Sequence, residues 1–327
     1  MFAEFGVGIG KTCDESSKKS AIKLRRQFMS IENYCNGLQF GDNFIPKEIL
    51  IHILSYLSPA DILEASMVCK NWFNMTRSSY MWRMKYERLE APKKAKNLPW
   101  YVYFYYFNVD TLVKNTNGEE AFKHWMFICN GGDRLIIEHS PKGCEPMPKE
   151  HPDFHGYTSC FTTSYGMALK YQVIELSEKK LLQHIIRTHH PALYASEWFV
   201  GRKDCSSLYK LIVICNTKAY KCRPEEIYKL ADEIRGRAVE RPLPLSTIPH
   251  KKVFRKEIDQ WGDGIWEKAE ILYEDYPRDV ENIIFCHYGQ DTQFWAGHYG
   301  SKFAGGVLKI SLEKIDPWED DDSKEFF

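Results

Sequence analysis

Few groupings in this chain combine the residue types and spacing that chemistry needs. The run Gly6-Val7-Gly8-Ile9-Gly10-Lys11-Thr12 ends like a phosphate-binding loop. That loop requires a glycine five positions before Gly10, where Phe5 stands, and a strand leading into it. A glycine-rich tail is the better reading. His189-His190 is an adjacent pair, and adjacent side chains seldom reach one ion; it reads as a polar loop before Pro191. Asp263 and Glu267 resemble the paired carboxylates of a glycosidase only in being two acids four residues apart. No Ser-His-Asp or Cys-His arrangement has a recognisable context. The ten cysteines include no C-x-x-C pair, which argues against a zinc ribbon or a dithiol redox motif. A non-catalytic chain without metal or cofactor is expected.

The chemistry that does stand out is apolar. Over residues 44–89 three short helices are predicted. Pro46 suits the first helical position, and Ile49, Ile53 and Leu57 fall four apart on one stripe, which Leu50 and Leu54 widen. Ser58-Pro59-Ala60-Asp61 is a helix start, with Ser58 as cap and Asp61 at the capping-box position. Ile62, Leu63, Ala65 and Met67 follow, then Cys69-Lys70-Asn71-Trp72-Phe73 and the anchor Trp82. So small a unit cannot bury this many large aliphatics by itself, and surplus apolar surface points to a partner.

The rest of the chain must position whatever that unit carries. Lys+Arg and Asp+Glu are both 44, so no net charge favours nucleic acid. The start is a poor secretory signal, and the greasiest stretch, Trp100–Val109, is too short and too aromatic to span a bilayer. A cytoplasmic protein with reduced thiols and no membrane insertion is expected. Residues 1–40 read as a flexible tail with a short helix around 21–31. Residues 41–90 form the helical domain, and 91–116 a linker with an aromatic helix at Trp100–Phe107. Residues 117–314 form a β-rich domain, and 315–327 an acidic tail. Predicted strands are Trp125–Cys129, Leu135–His139, Ser159–Thr163, Tyr171–Glu175, Leu208–Cys215, Lys268–Tyr273, Asn282–His287 and Val307–Ser311, with Asn130-Gly131 turning between the first two. Residues 216–258 form a long excursion with one helix, Pro224–Arg235. Many short strands with turn signals predict an antiparallel sandwich, making the chain α+β and multi-domain.

The helical segment resembles an F-box. The resemblance runs through Phe44-Ile45-Pro46-Lys47-Glu48-Ile49-Leu50, Ile53-Leu54-Ser55-Tyr56-Leu57, Asp61-Ile62-Leu63, Val68-Cys69-Lys70-Asn71-Trp72 and Trp82. It implies binding to a Skp-type adaptor, and through that to a cullin and a RING protein. The contacts carried over are Ile45, Pro46, Ile49, Ile53, Leu57 and Leu63. The β-rich part resembles the F-box-associated domain of the sugar-recognising F-box proteins. The residues that carry this include Asn117-Gly118-Glu119-Glu120, Asn130-Gly131-Gly132-Asp133, Glu197 through Asp204, and Gly289-Gln290-Asp291-Thr292-Gln293-Phe294-Trp295-Ala296-Gly297.

This second resemblance implies a ten-stranded galactose-binding-like sandwich. It also implies a ubiquitin-ligase subunit that grips the chitobiose core of high-mannose N-glycans on misfolded glycoproteins. The implied sugar contacts are Tyr165, Phe294 and Trp295, since flat rings stack on the apolar C–H face of a sugar. The chain departs from the family pattern at Ala296, in place of lysine, at His298, in place of tryptophan, and at Tyr288, in place of glycine. A glycan-independent protein substrate, met through the 216–258 excursion, is the alternative.

Overall fold

The computed structural model describes residues 37–91, 98–233 and 248–313. The expected helix near 21–31, the glycine-rich run and the acidic tail lie outside them. The chain divides into two compact units, with the boundary between Lys85 and Tyr86.

The first unit opens with a small hairpin, β1 (Gln39–Phe40) against β2 (Asn43–Phe44). Helices α1 (Lys47–Leu54), α2 (Pro59–Ser66) and α3 (Lys70–Arg77) follow, and α4 (Ser79–Glu87) carries Trp82. Pro46 caps α1 from just outside, one residue earlier than its expected place. The apolar residues of α1 divide between two faces: Leu50, Ile51 and Leu54 are buried, while Ile49 and Ile53 point to solvent. The Ser58 hydroxyl accepts the Asp61 amide at 3.2 Å and donates to the Asp61 carboxylate at 2.8 Å, which closes the start of α2. Lys85 Nζ donates to the carbonyls of Ser55 (3.0 Å) and Leu57 (2.5 Å) at the end of α1, a favourable place for a cation. The indoles of Trp72 and Trp82 donate to the Gly37 and Thr76 carbonyls.

Among the described residues the second unit holds ten strands in two antiparallel five-stranded sheets. One sheet runs β3 (Met126–Asn130), β6 (Ala168–Glu175), β11 (Val280–Asp291), β8 (Ser207–Thr217), β9 (Lys251–Ile258). The other runs β10 (Glu267–Tyr273), β7 (Ala192–Val200), β12 (Lys302–Ser311), β5 (Cys160–Thr162), β4 (Ile136–Glu138). The turn at Asn130-Gly131 therefore carries the chain from one sheet to the other and makes no hairpin. Strands β7 and β9, and helix α6 (Lys180–His189), were not among the predicted elements. His189 lies inside α6 and His190 ends it in the left-handed conformation, so the pair is a helix terminus and not a loop. The aromatic helix expected in the linker stretch is present. This helix, α5 (Trp100–Asn108), buries Tyr101–Tyr105, packs on α6 and β12, and bonds the Tyr101 hydroxyl to His189.

Between the sheets lies a polar cluster walled by aromatic rings. Glu197 accepts the Tyr209 hydroxyl at 2.5 Å and bonds His287 Nδ1 at 2.8 Å, all three fully buried. Burial pushes the Glu197 carboxyl up to about 8 and the His287 imidazole well down. The Lys170 ammonium sits 3.3 Å from the Trp125 ring centre and 3.2 Å from that of Phe161.

The outer face of the β3-β6-β11-β8-β9 sheet is also dry. Helix α7 (Pro224–Glu233), within the expected helix of the excursion, buries Ile227, Leu230 and Ala231 against Leu169, Ile212, Ile284 and Tyr288. Lys210 Nζ donates to the Ala231 carbonyl at 2.6 Å while lying 4.4 Å from the Tyr288 ring centre.

Candidate functional site

The strand register decides where the loops gather. Asp291, at the end of β11, pairs with Ser207 at the start of β8; Gly289 pairs with Ala168 at the start of β6; and Ser207 pairs with Ile258 at the end of β9. In the second sheet Lys302, at the start of β12, pairs with both Val200 and Thr162. The loops 131–135, 163–167, 201–206, 259–266 and 292–301 therefore crowd one end of the sandwich.

Hydrogen bonds knit these loops together. The Asp291 amide donates to the Ser164 carbonyl at 2.9 Å, which fixes the segment just before Tyr165 against the segment just before Phe294. Asp291 is fully buried, and its Oδ1 accepts the amides of Gln293 (3.0 Å) and Phe294 (2.5 Å). This grip holds Phe294 at φ +59, a left-handed backbone that a phenylalanine seldom adopts. Burial raises the Asp291 carboxyl, while the loop amides it accepts pull it back down. The Gly297 amide donates to Asp133 at 2.5 Å, and the Tyr299 ring meets Trp295 edge-on at 5.6 Å. Gly166 admits the 131–132 turn so closely that a Cβ there would lie 2.2 Å from the Gly132 amide nitrogen.

Of the three aromatic residues expected to touch sugar, Phe294 is 57% exposed, Trp295 41% exposed, and Tyr165 partly buried. The loop contacts bring their backbones together. Ala296 is exposed beside them and His298 is partly buried. Tyr288 lies elsewhere: it packs under α7, and its hydroxyl donates to Gln290 at 2.6 Å. Its departure from the family pattern is thus tied to the helix above it.

Sequence reasoning passed over Trp261, which is 77% exposed in the β9–β10 loop. The signal available was a tryptophan among Asp259, Gln260, Gly262 and Asp263, an unusual place for a core residue. Asp263 accepts the Ile265 amide and Glu267 pairs with Lys256, ordinary surface partners in keeping with setting the pair aside. Among the described residues no group of three His, Cys, Asp or Glu side chains could hold a metal ion, and no helix is long and apolar enough to cross a membrane.

On the first unit, the six residues expected to meet the adaptor vary in exposure. Ile49 (54%), Ile53 (49%) and Pro46 are exposed, and Ile45, Leu57 and Leu63 are partly buried. Phe44, Tyr56, Met67 and Val68, absent from that set, are exposed as well. A small unit showing so many large apolar side chains to water has the surface of a docking module.

Comparison with known proteins agrees with both units. The F-box-like family model matches residues 43–88, and the F-box associated region matches 109–221 and 246–310. The chain belongs to the F-box proteins that carry an F-box associated region. F-box only protein 6 of Homo sapiens is 27% identical over 274 residues, spanning 82% of this chain and 84% of that protein. F-box only protein 44 of Homo sapiens is 26% identical over 273 residues, 82% of this chain and 96% of its own length. A solved TmCBM61 module in complex with β-1,4-galactotriose covers 62% of this chain and 100% of its own, at 11% identity and a TM-score of 0.34, too low to bear on function. F-box proteins are substrate adaptors of ubiquitin ligases, and this one departs from the family model across 222–245, the segment that contains α7.

Proposed function

We propose that this F-box protein is the substrate-recognition subunit of a Skp–cullin–F-box ubiquitin ligase. On this reading Ile45, Pro46, Ile49, Ile53, Leu57 and Leu63 dock the adaptor, which brings the cullin and the RING protein. Tyr165, Phe294 and Trp295 hold the chitobiose core of a high-mannose N-glycan on a misfolded glycoprotein. Ubiquitin transfer belongs to the other subunits; this chain supplies proximity and orientation. Such clients reach the cytoplasm after export from the endoplasmic reticulum.

The observation that carries the sugar reading is the exposed Phe294-Trp295 pair on a loop anchored by a buried carboxylate. Large rings held open to water on a fixed backbone suit stacking on a sugar, and the amides around them suit its hydroxyls. A glycan-independent client remains the second reading, favoured by Ala296, which offers no donor where a lysine would. The two are separated by capture of a high-mannose glycoprotein and of the same protein after enzymatic deglycosylation. The sugar reading expects capture of the first only, lost in Trp295→Ala with an unchanged melting temperature. Equal capture of both forms, or capture indifferent to Trp295→Ala, overturns it.

A further inference from the structure

We infer that Trp261 is a second, outlying sugar platform of the same loop cluster, one that reads saccharide units beyond the chitobiose pair. The inference rests on the carbohydrate reading of Phe294 and Trp295 and extends it to a longer oligosaccharide.

Among the described residues Trp261 is the most exposed of the large apolar side chains in the second unit, at 77%. An indole left in water forgoes a large hydrophobic gain, and here nothing in its own loop covers it. Yet the loop is not slack. The Trp261 amide donates to the Lys203 carbonyl at 2.6 Å, and the backbone is held at φ +67. Gln260, just before it, donates through Nε2 to the Asp204 carbonyl at 2.9 Å. A tryptophan fixed in a left-handed conformation and presented to solvent indicates a constrained surface ring.

The same contacts tie this ring to the proposed site. Gln293, the neighbour of Phe294, donates through Nε2 to Gln260 Oε1 at 2.7 Å. Thr292 bonds Ser206 through both backbone (3.0 Å) and hydroxyl (2.6 Å), so the loop that supports Gln260 also supports the Phe294 loop. The two aromatic elements are therefore joined through a pair of amide side chains, one position from each ring. Exposed Asp259 and Asp263 stand two positions either side of Trp261 in the chain and add carboxylate acceptors to its loop. A flat exposed ring on a loop that carries carboxylates and amides suits the alternating apolar and hydroxyl edges of a pyranose. Continuity with the Phe294-Trp295 pair makes the next saccharide units of the same glycan the occupant.

The test is calorimetric titration of the full chain with two ligands: chitobiose, and the core pentasaccharide in which three mannoses extend it. Wild type is expected to bind the pentasaccharide about 3- to 10-fold more tightly, the gain of one stacked ring. Trp261→Ala should erase that difference while leaving the chitobiose affinity intact, and Trp261→Phe should keep most of it. Several results overturn the inference. A pentasaccharide advantage that survives Trp261→Ala removes the ring from the contact. Equal weakening of both ligands makes it a mere support for the loop. Loss of capture of a deglycosylated glycoprotein in Trp261→Ala assigns the ring to polypeptide. If wild type binds neither sugar, the carbohydrate reading itself falls and this extension with it, a pattern distinct from the other three.

Discussion

The double substitution Ile49→Ala/Ile53→Ala separates docking from folding. Both residues are about half exposed, on the side of α1 opposite Leu50, Ile51 and Leu54. Complete burial of an isoleucine side chain is worth roughly 1.5–3 kcal/mol, so sealing the exposed half under an adaptor contributes about 1 kcal/mol each. Removing both costs the complex about 2 kcal/mol, roughly a 30-fold rise in Kd. Helix propensity favours alanine over isoleucine, which offsets part of the packing lost within the free unit. The assay is titration of the full chain with the Skp-type adaptor alongside thermal unfolding of the free chain. Expected are weakened binding and a melting temperature within a few degrees of wild type. The buried neighbour is the control: Leu54→Ala, at a site 2% exposed, should destabilise the unit by about 2–5 kcal/mol. Adaptor affinity unchanged in the double variant would refute the docking face. A melting loss as large as that of Leu54→Ala would show the two isoleucines to be core.

Two further outcomes concern the second unit. Burial lowers the His189 imidazole to about 4 from its ordinary 6.5, so its contribution to stability is complete above pH 6.5 and is lost as pH falls toward 4. Unfolding measured across that window should decline less steeply in His189→Gln than in wild type, and equal slopes would rule out the assignment. Glu197→Ala should destabilise by about 3–5 kcal/mol in denaturant titration, because it strands the Tyr209 hydroxyl and His287 Nδ1 in a dry core; a loss under about 1 kcal/mol would mean that water enters the cluster.

The elements that could be read from sequence were those with strong local signals. Ser58-Pro59-Ala60-Asp61 announced α2, and the β-branched run Leu211–Cys215 announced β8. Strand β7 (Ala-Leu-Tyr-Ala-Ser-Glu-Trp-Phe-Val) escaped because Glu197 and two alanines break its pattern, and Glu197 is tolerated only because β8 and β11 bring Tyr209 and His287 to it. Strand β9 (Lys-Lys-Val-Phe-Arg-Lys-Glu-Ile) is an edge strand rich in charge, which reads as solvated loop until β8 pairs with it. The stripe on α1 was visible, but which isoleucines face inward depends on α3 and the hairpin, and no periodicity argument assigns that. Phe294 and Trp295 came from family likeness. Trp261 had no such guide, since only the Gln260–Gln293 bond brings its loop to theirs.

The helix over the outer face of the sheet has an evolutionary consequence. With α7 in place, β8 is buried along its whole length, a burial usual for the central strand of a three-layer protein and not of a two-layer sandwich. Helix α7 is therefore a third layer rather than an ornament. A relative without it could not keep Tyr288 and the aliphatics around it without presenting a sticky slab to its neighbours. Nor could it keep Lys210 in the same place, since the carbonyl that receives its ammonium belongs to the helix. The helix and the apolar residues beneath it therefore stand or fall together, while the loop end of the sandwich takes no part in that packing.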